Sequence, residues 1–150
     1  LITVRPENNV IHADQVNIEN VFNTAIIVRT LPNADEKLSA TYDAENLPPY
    51  FSNEAMHKIA AVGIQHLLVD MPSIDLAFDE GKLVNHHFFW NVEQGSHDLN
   101  GSTASSKTIT EMIYVPNDIS DGRYLLQIQI TNFMSDAAPS RPIIFPLELS

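Results

Sequence analysis

A strand-rich α/β domain, with a mixed sheet and one or two helices, is predicted by three observations. Ala25-Ile26-Ile27-Val28 is a continuous apolar run, largely β-branched, which is the pattern of a strand buried on both faces. Residues 52–63 set Ala55, Met56, Ile59, Ala60 and Val62 at helical spacing between a capping serine and a terminating glycine. Ile64-Gln65-His66-Leu67-Leu68-Val69-Asp70 follows at once as a second apolar run, so strand 23–30, a crossover and strand 64–70 can form a parallel pair.

Taken in order, residues 1–22 are polar with apolar islands at 10–11 and 16–21, enough for one or two short strands. The first core strand spans 23–30. Residues 31–50 form a loop, because Pro32, Asn33, Asp35, Asn46, Pro48 and Pro49 punctuate it and residues before proline avoid the helical region. The helix begins at Ser52 with Glu54 in its first turn and stops at Gly63. Residues 79–81 make a turn, and 83–92 carry His86 and His87 beside Phe88, Phe89 and Trp90. Residues 94–107, rich in Ser, Gly and Asn, form a surface loop. Residues 108–115 alternate as a strand, 116–122 turn, and 124–131 alternate Leu126, Ile128 and Ile130 against Leu125, Gln127 and Gln129, a strand with one wet face. Residues 132–142 form a loop, and 143–145 a short edge strand with proline on both sides.

One domain is expected, because a chain of 150 residues with 44% hydrophobic content buries roughly 70% of its unfolded surface. Nineteen acidic against eight basic residues give a formal charge of −11, which repels a phosphate backbone and an anionic membrane alike. Neither nucleic acid nor membrane is an expected partner. With no cysteine there is no disulfide framework and no thiolate metal site, so any metal must be held by His, Asp or Glu. No apolar run approaches the roughly 18 residues that cross a bilayer, and no secretory pattern opens the chain, so a soluble, cytoplasmic protein is expected. The start without Met, directly in a strand-like Leu-Ile-Thr-Val, hints at a piece of something longer.

Three constellations carry chemistry. Neutral imidazole is a common ligand of borderline ions, but adjacent histidines diverge on a strand or a helix, so at most one of His86 and His87 serves a given ion. The alternative is a histidine packed against the neighbouring aromatics. Glu111 lies in an apolar stretch, where an acid needs a partner: a metal, an ion pair or solvent at a sheet edge. Asp70, Ser73 and Asp75 close the second core strand, where ligand sites collect, yet they are equally ordinary turn residues. His12, His57, His66 and His97 lack a partner set. No phosphate loop or nucleophile elbow is present.

The ordered set 25–30 (Ala-Ile-Ile-Val-Arg-Thr), 51–55 (Phe-Ser-Asn-Glu-Ala), 63–75 (Gly-Ile-x-x-Leu-Leu-Val-Asp-x-Pro-Ser-x-Asp), His86, Thr110-Glu111 and Ser140-Arg141-Pro142 resembles the later portion of the cyclase family, which includes kynurenine formamidase (arylformamidase). The resemblance implies a swivelling β/β/α-type fold and a metal-dependent hydrolase acting on amide or related bonds of small molecules, with Zn or Mn as the ion. It puts His86 and Glu111 on metal-ligand positions and Asp70, Ser73 and Asp75 on a pocket wall. The family's earlier His-x-Gly-Thr-His-x-Asp run, which supplies most of the ligands, is absent here, and residues 94–107 lengthen the stretch between His86 and Glu111.

Three functional readings follow. The chain is the C-terminal part, or a truncated relative, of an arylformamidase-like hydrolase with a small-molecule substrate. Alternatively it is a non-catalytic relative that binds a small molecule or assembles with itself. As an unrelated β-rich interaction domain, it would hold His86 and Glu111 far apart. Homo-oligomerisation is expected under all three, since a partial domain leaves strand edges and apolar surface to cover.

Overall fold

The structure is a computed structural model that describes residues 1–18, 24–104 and 106–147. Its centre is a four-stranded, all-parallel sheet built from β1 (Ile2–Val4), β3 (Ala25–Thr30), β5 (His66–Val69) and β6 (Thr108–Thr110), in the order β1-β3-β5-β6. β3 and β5 pair with Ala25 opposite His66 and Val28 opposite Val69, which is the parallel pair the two apolar runs predict. Two short strands, β2 (Val10–Ile11) and β4 (Tyr50–Phe51), pair parallel beside it.

Successive residues of β3 and β5 enter two different apolar layers. Ile26, Val28, Leu67 and Val69 pack with Ala55, Met56 and Ile59 of α1 (Asn53–Ala61) and Phe89 of α2 (Val84–Trp90). Ile27 and Leu68 point the other way and meet Val115, Leu126, Ile128 and Ile144. The second layer is the antiparallel hairpin of β7 (Tyr124–Ile130) and β8 (Ser140–Pro146), registered with Leu126 opposite Ile144. Helices, parallel sheet and hairpin therefore stack in three layers, a mixed α/β architecture. Each fully buried Leu, Ile, Met or Phe contributes roughly 1.5–3 kcal/mol.

α1 starts where predicted: Ser52 Oγ accepts the Ala55 N–H at 3.2 Å, and Gly63, at φ +79°, takes the chain out of the helix. The stretch 83–92, left unassigned by its pattern, is the helix α2. The strand predicted over 108–115 ends at Thr110, because Met112 adopts a left-handed φ of +57° and turns the backbone. The final strand is longer than predicted: pairing with β7 along its full length extends it to 140–146 despite Pro142 and Pro146. Proline is tolerated there because, among the described residues, β8 pairs with one strand and leaves its other edge unpaired. A 3-10 helix, Asp35–Ser39, interrupts the loop 31–50. Asn23, the predicted start of the first core strand, and the end of the 16–21 island lie outside the described residues.

Two buried polar groups tie loops to the sheet. Arg29, 7% exposed, donates to Thr3 Oγ1 at 2.8–2.9 Å and to the carbonyls of Pro116 and Ile119 at 2.7 and 2.9 Å. Asp70 accepts the Thr30 N–H and hydroxyl at 2.8 and 2.9 Å and the Lys37 ammonium at 2.9 Å, with its own side chain fully buried. Lys37 also donates to Thr30 O and Asn33 Oδ1, so the pair joins β3, β5 and the 3-10 helix.

Removing one member of such a buried pair strands the other. Asp70→Ala is therefore expected to lower unfolding free energy by about 3–5 kcal/mol in a urea titration. A loss below about 1 kcal/mol would show that Lys37 re-solvates freely.

Candidate functional site

The carboxyl ends of β5 and β6 and the start of α2 meet at one polar cluster. Its organiser is Asp75, 3% exposed. Ser73 Oγ accepts the Asp75 N–H at 3.1 Å, which closes the turn that presents the carboxylate. Asp75 Oδ1 accepts the Asn85 N–H at 2.6 Å, and Oδ2 lies 3.4 Å from the His86 N and 2.6 Å from His86 Nδ1. The carboxylate thus satisfies early amide groups of α2 and orients the imidazole that follows them. Asn85 fastens the same corner by donating to Phe51 O and Ile74 O at 2.8 and 3.0 Å.

Glu111 reaches the cluster from the other side. It follows β6, and its Oε1 accepts the Ile74 N–H at 3.2 Å while standing 3.5 Å from His86 Nε2. The left-handed turn at Met112 returns the chain to the sheet, with Met112 N–H and Ile113 N–H donating to Met71 O and Val69 O. His86 is thus gripped at both nitrogens, with Trp90 against its ring at 5.3 Å between centroids. Burial pulls its pKa down, but the hydrogen bonds and charges of Asp75 and Glu111 together outweigh burial and raise it from 6.5 to about 9.

His86 and Glu111, singled out from sequence, are brought together; the reading that keeps them far apart does not describe this molecule. Of the other singled-out residues, Asp75 joins them and the rest separate. His87 lies on a different side of α2, as helical divergence requires, against His97. Asp70 belongs to the Lys37 tie. Ser73 shapes a turn. Asp75, read from sequence as a turn or pocket-wall residue, is the third member of the site, and its bond to His86 is the role the sequence did not show. Nothing local reveals that role, because its partners lie ten and eleven positions later.

Backbone strain marks the same region. Seven non-glycine residues among those described have positive φ; three are asparagines, which tolerate it, and the other four are Phe78, Glu80, Leu83 and Met112. All four lie in the two segments that flank Asp75, His86 and Glu111. Phe78 and Met112 are also 73% and 72% exposed. Costs of order 1–3 kcal/mol per such residue collect at functional sites. Asp75 and Asn85 also line a cavity of about 400 Å³ with Tyr50, Phe51, Leu76, Phe78 and Val84 on its wall.

As donors, one imidazole nitrogen and one carboxylate suit a borderline divalent ion, and an Asp on the far ring nitrogen is the usual outer support of a ligating histidine. In number they fall short. Among the described residues no group of three His, Asp or Glu side chains is placed to hold a metal, and a catalytic zinc keeps three protein ligands.

The chain is similar in fold to two solved structures. One, described as a predicted metal-dependent hydrolase from Bacillus stearothermophilus, has a TM-score of 0.63 and 16% identity over 95% of this chain. The other, described as a potential metal-dependent hydrolase with cyclase activity, has a TM-score of 0.64 and 17% identity over 99% of this chain. This chain spans 61% and 65% of their lengths. At such identity the likeness is one of fold alone. Neither protein-family models nor curated proteins give a match. No helix among the described residues is long and apolar enough to cross a membrane.

The raised His86 pKa has a stability consequence for the metal-free chain. A group whose folded pKa exceeds its unfolded value adds stability that is fully present below about 6.5 and is lost as pH rises through about 9. Chemical denaturation of the metal-free protein is expected to show this decline between pH 6.5 and 9.5, and His86→Gln to lack it. Parallel pH profiles for the two proteins would refute the assignment.

Proposed function

We propose that this chain is the part of a metal-dependent hydrolase that supplies His86 and Glu111 as two ligands of a divalent ion, Zn or Mn, and that the reaction is cleavage of an amide bond in a small molecule, as in arylformamidase. The observation that carries the reading is the convergence of His86 Nε2 and Glu111 Oε1 to 3.5 Å with Asp75 bonded to the opposite ring nitrogen. The likeness of fold to two proteins described as metal-dependent hydrolases supports it. Further ligands come from outside the two groups assembled here.

The chain's own residues have defined tasks in such a site. With a divalent ion in place of the Nε2 proton, Asp75 would still accept the Nδ1–H of His86 and so keep Nε2 as the ligating nitrogen on the Glu111 side. Ile74 N–H holds one Glu111 oxygen in place. Trp90 lies against one side of the imidazole. When bound, a divalent ion supplies Lewis-acid polarisation of the amide carbonyl. The cavity beside Asp75 and Asn85, walled by Tyr50, Phe51 and Phe78 together with Asp79, Glu80 and Lys82, offers space for part of a substrate.

A second reading keeps the fold without the reaction: a non-catalytic relative that binds a small molecule or assembles with its own copies. The count of two donors among the described residues favours it.

Metal analysis and an amidase assay decide between them. For the hydrolase, zinc or manganese is expected to bind, with a loss of roughly 10–100-fold in affinity for Asp75→Asn and a larger loss for His86→Ala or Glu111→Ala. Hydrolysis of an N-formyl arylamine should fall with the same variants. Zinc and manganese affinities left unchanged by His86→Ala combined with Glu111→Ala would overturn the reading.

A further inference from the structure

α2 carries a second histidine that the site above does not use. His87 is 6% exposed, and its Nδ1 is buried with no hydrogen-bond partner among the described residues. Buried polar atoms are hydrogen-bonded in the great majority of cases, and each exception calls for an explanation such as a bound ion. The ring set against His87 is another imidazole, His97, edge-on with centroids 6.2 Å apart.

The encounter is enforced from both sides of the loop that carries His97. Gln94 Nε2 donates to Val84 O at 3.1 Å at the near end. At the far end, Ala104 N–H donates to Trp90 O at 2.7 Å and Asn91 Nδ2 to Ser102 O at 2.9 Å. Between these ties, His97 is exposed. One imidazole is therefore fixed in the helix layer, and the other can rotate.

We propose that His87 and His97 form a two-histidine site for a borderline divalent cation, separate from the His86–Glu111 pair. Nitrogen ligands suit Zn²⁺, Ni²⁺ and Cu²⁺. An ion about 2 Å from a nitrogen of each ring sets the ring centres about 5–6 Å apart, according to the angle at the ion. The observed 6.2 Å lies just beyond that range, and rotation of the exposed His97 closes the difference. Solvent reaches the site on the His97 side and supplies the remaining ligands. The net charge of −11 raises the local concentration of cations. A bound ion would clip the 94–104 loop to α2.

The test uses Zn²⁺ alone with the purified chain, followed by calorimetry and by NMR of the imidazole nitrogens. Zinc is expected to move the His87 and His97 ring resonances together. His97→Ala, a change at an exposed position, should weaken this binding roughly tenfold or more. The same dependence on His97 should persist in His86→Gln/Glu111→Gln, which separates this site from the proposed hydrolase centre. Should that double variant unfold, the ring resonances of the unmodified chain give the answer. His87 resonances unmoved at saturating zinc, or zinc affinity unchanged by His97→Ala, would overturn the proposal.

Discussion

Because β3 and β5 lie side by side with alternate residues entering two apolar layers, the sheet has to be covered on both faces. α1 and α2 cover one face, and the β7–β8 hairpin covers the other. That double burial leaves the strand ends as the places where polar backbone and loops must be accommodated. Burying their amide and carbonyl groups without partners would cost several kcal/mol. Carboxylates therefore gather at the carboxyl ends: Asp70 after β5, Asp75 in the following turn and Glu111 after β6.

These three acids are not equivalent, and their neighbours divide the labour. Asp70 is matched by a lysine and by the hydroxyl and amide of Thr30, so its charge is consumed in holding β3, β5 and the 31–50 loop together. Asp75 spends one oxygen on the start of α2 and the other on an imidazole. Glu111 keeps 29% of its side chain exposed and faces the nitrogen that Asp75 does not hold. Asp70 is structural, and in the cluster around Asp75 the gap between His86 and Glu111 is where a nitrogen and a carboxylate oxygen face each other. The left-handed backbone at Leu83 and Met112 places the two side chains, since each residue turns the chain immediately before α2 or after Glu111.

Much of the fold was legible from local pattern. The run at 25–28, the capped helix behind Ser52 and the second run after Gly63 each announce their structure, because burial on both faces and helical periodicity leave marks in composition. The wet face of β7 was legible for the same reason: Gln127 and Gln129 alternate with Leu126 and Ile128. The helix at 84–90 was not, since seven residues with two histidines and three aromatics carry no clear period. The early end of β6 escaped as well, because a left-handed methionine has no sequence signal. The lengthening of β8 through two prolines depends on a partner strand, which composition does not reveal.

For the site, residue identity and order were enough to single out His86 and Glu111 through a resemblance of motifs. They also established that this chain offers a metal no thiolate. Residue types and their spacing are properties of the chain, so that much belongs to the sequence. Distance belongs to the fold. The 3.5 Å between imidazole and carboxylate, the bond from Asp75 that orients the ring, and the meeting of His87 with His97 each join residues that no local periodicity links. They arise only when packing on both faces of the parallel sheet brings the ends of β5, β6 and α2 to one edge.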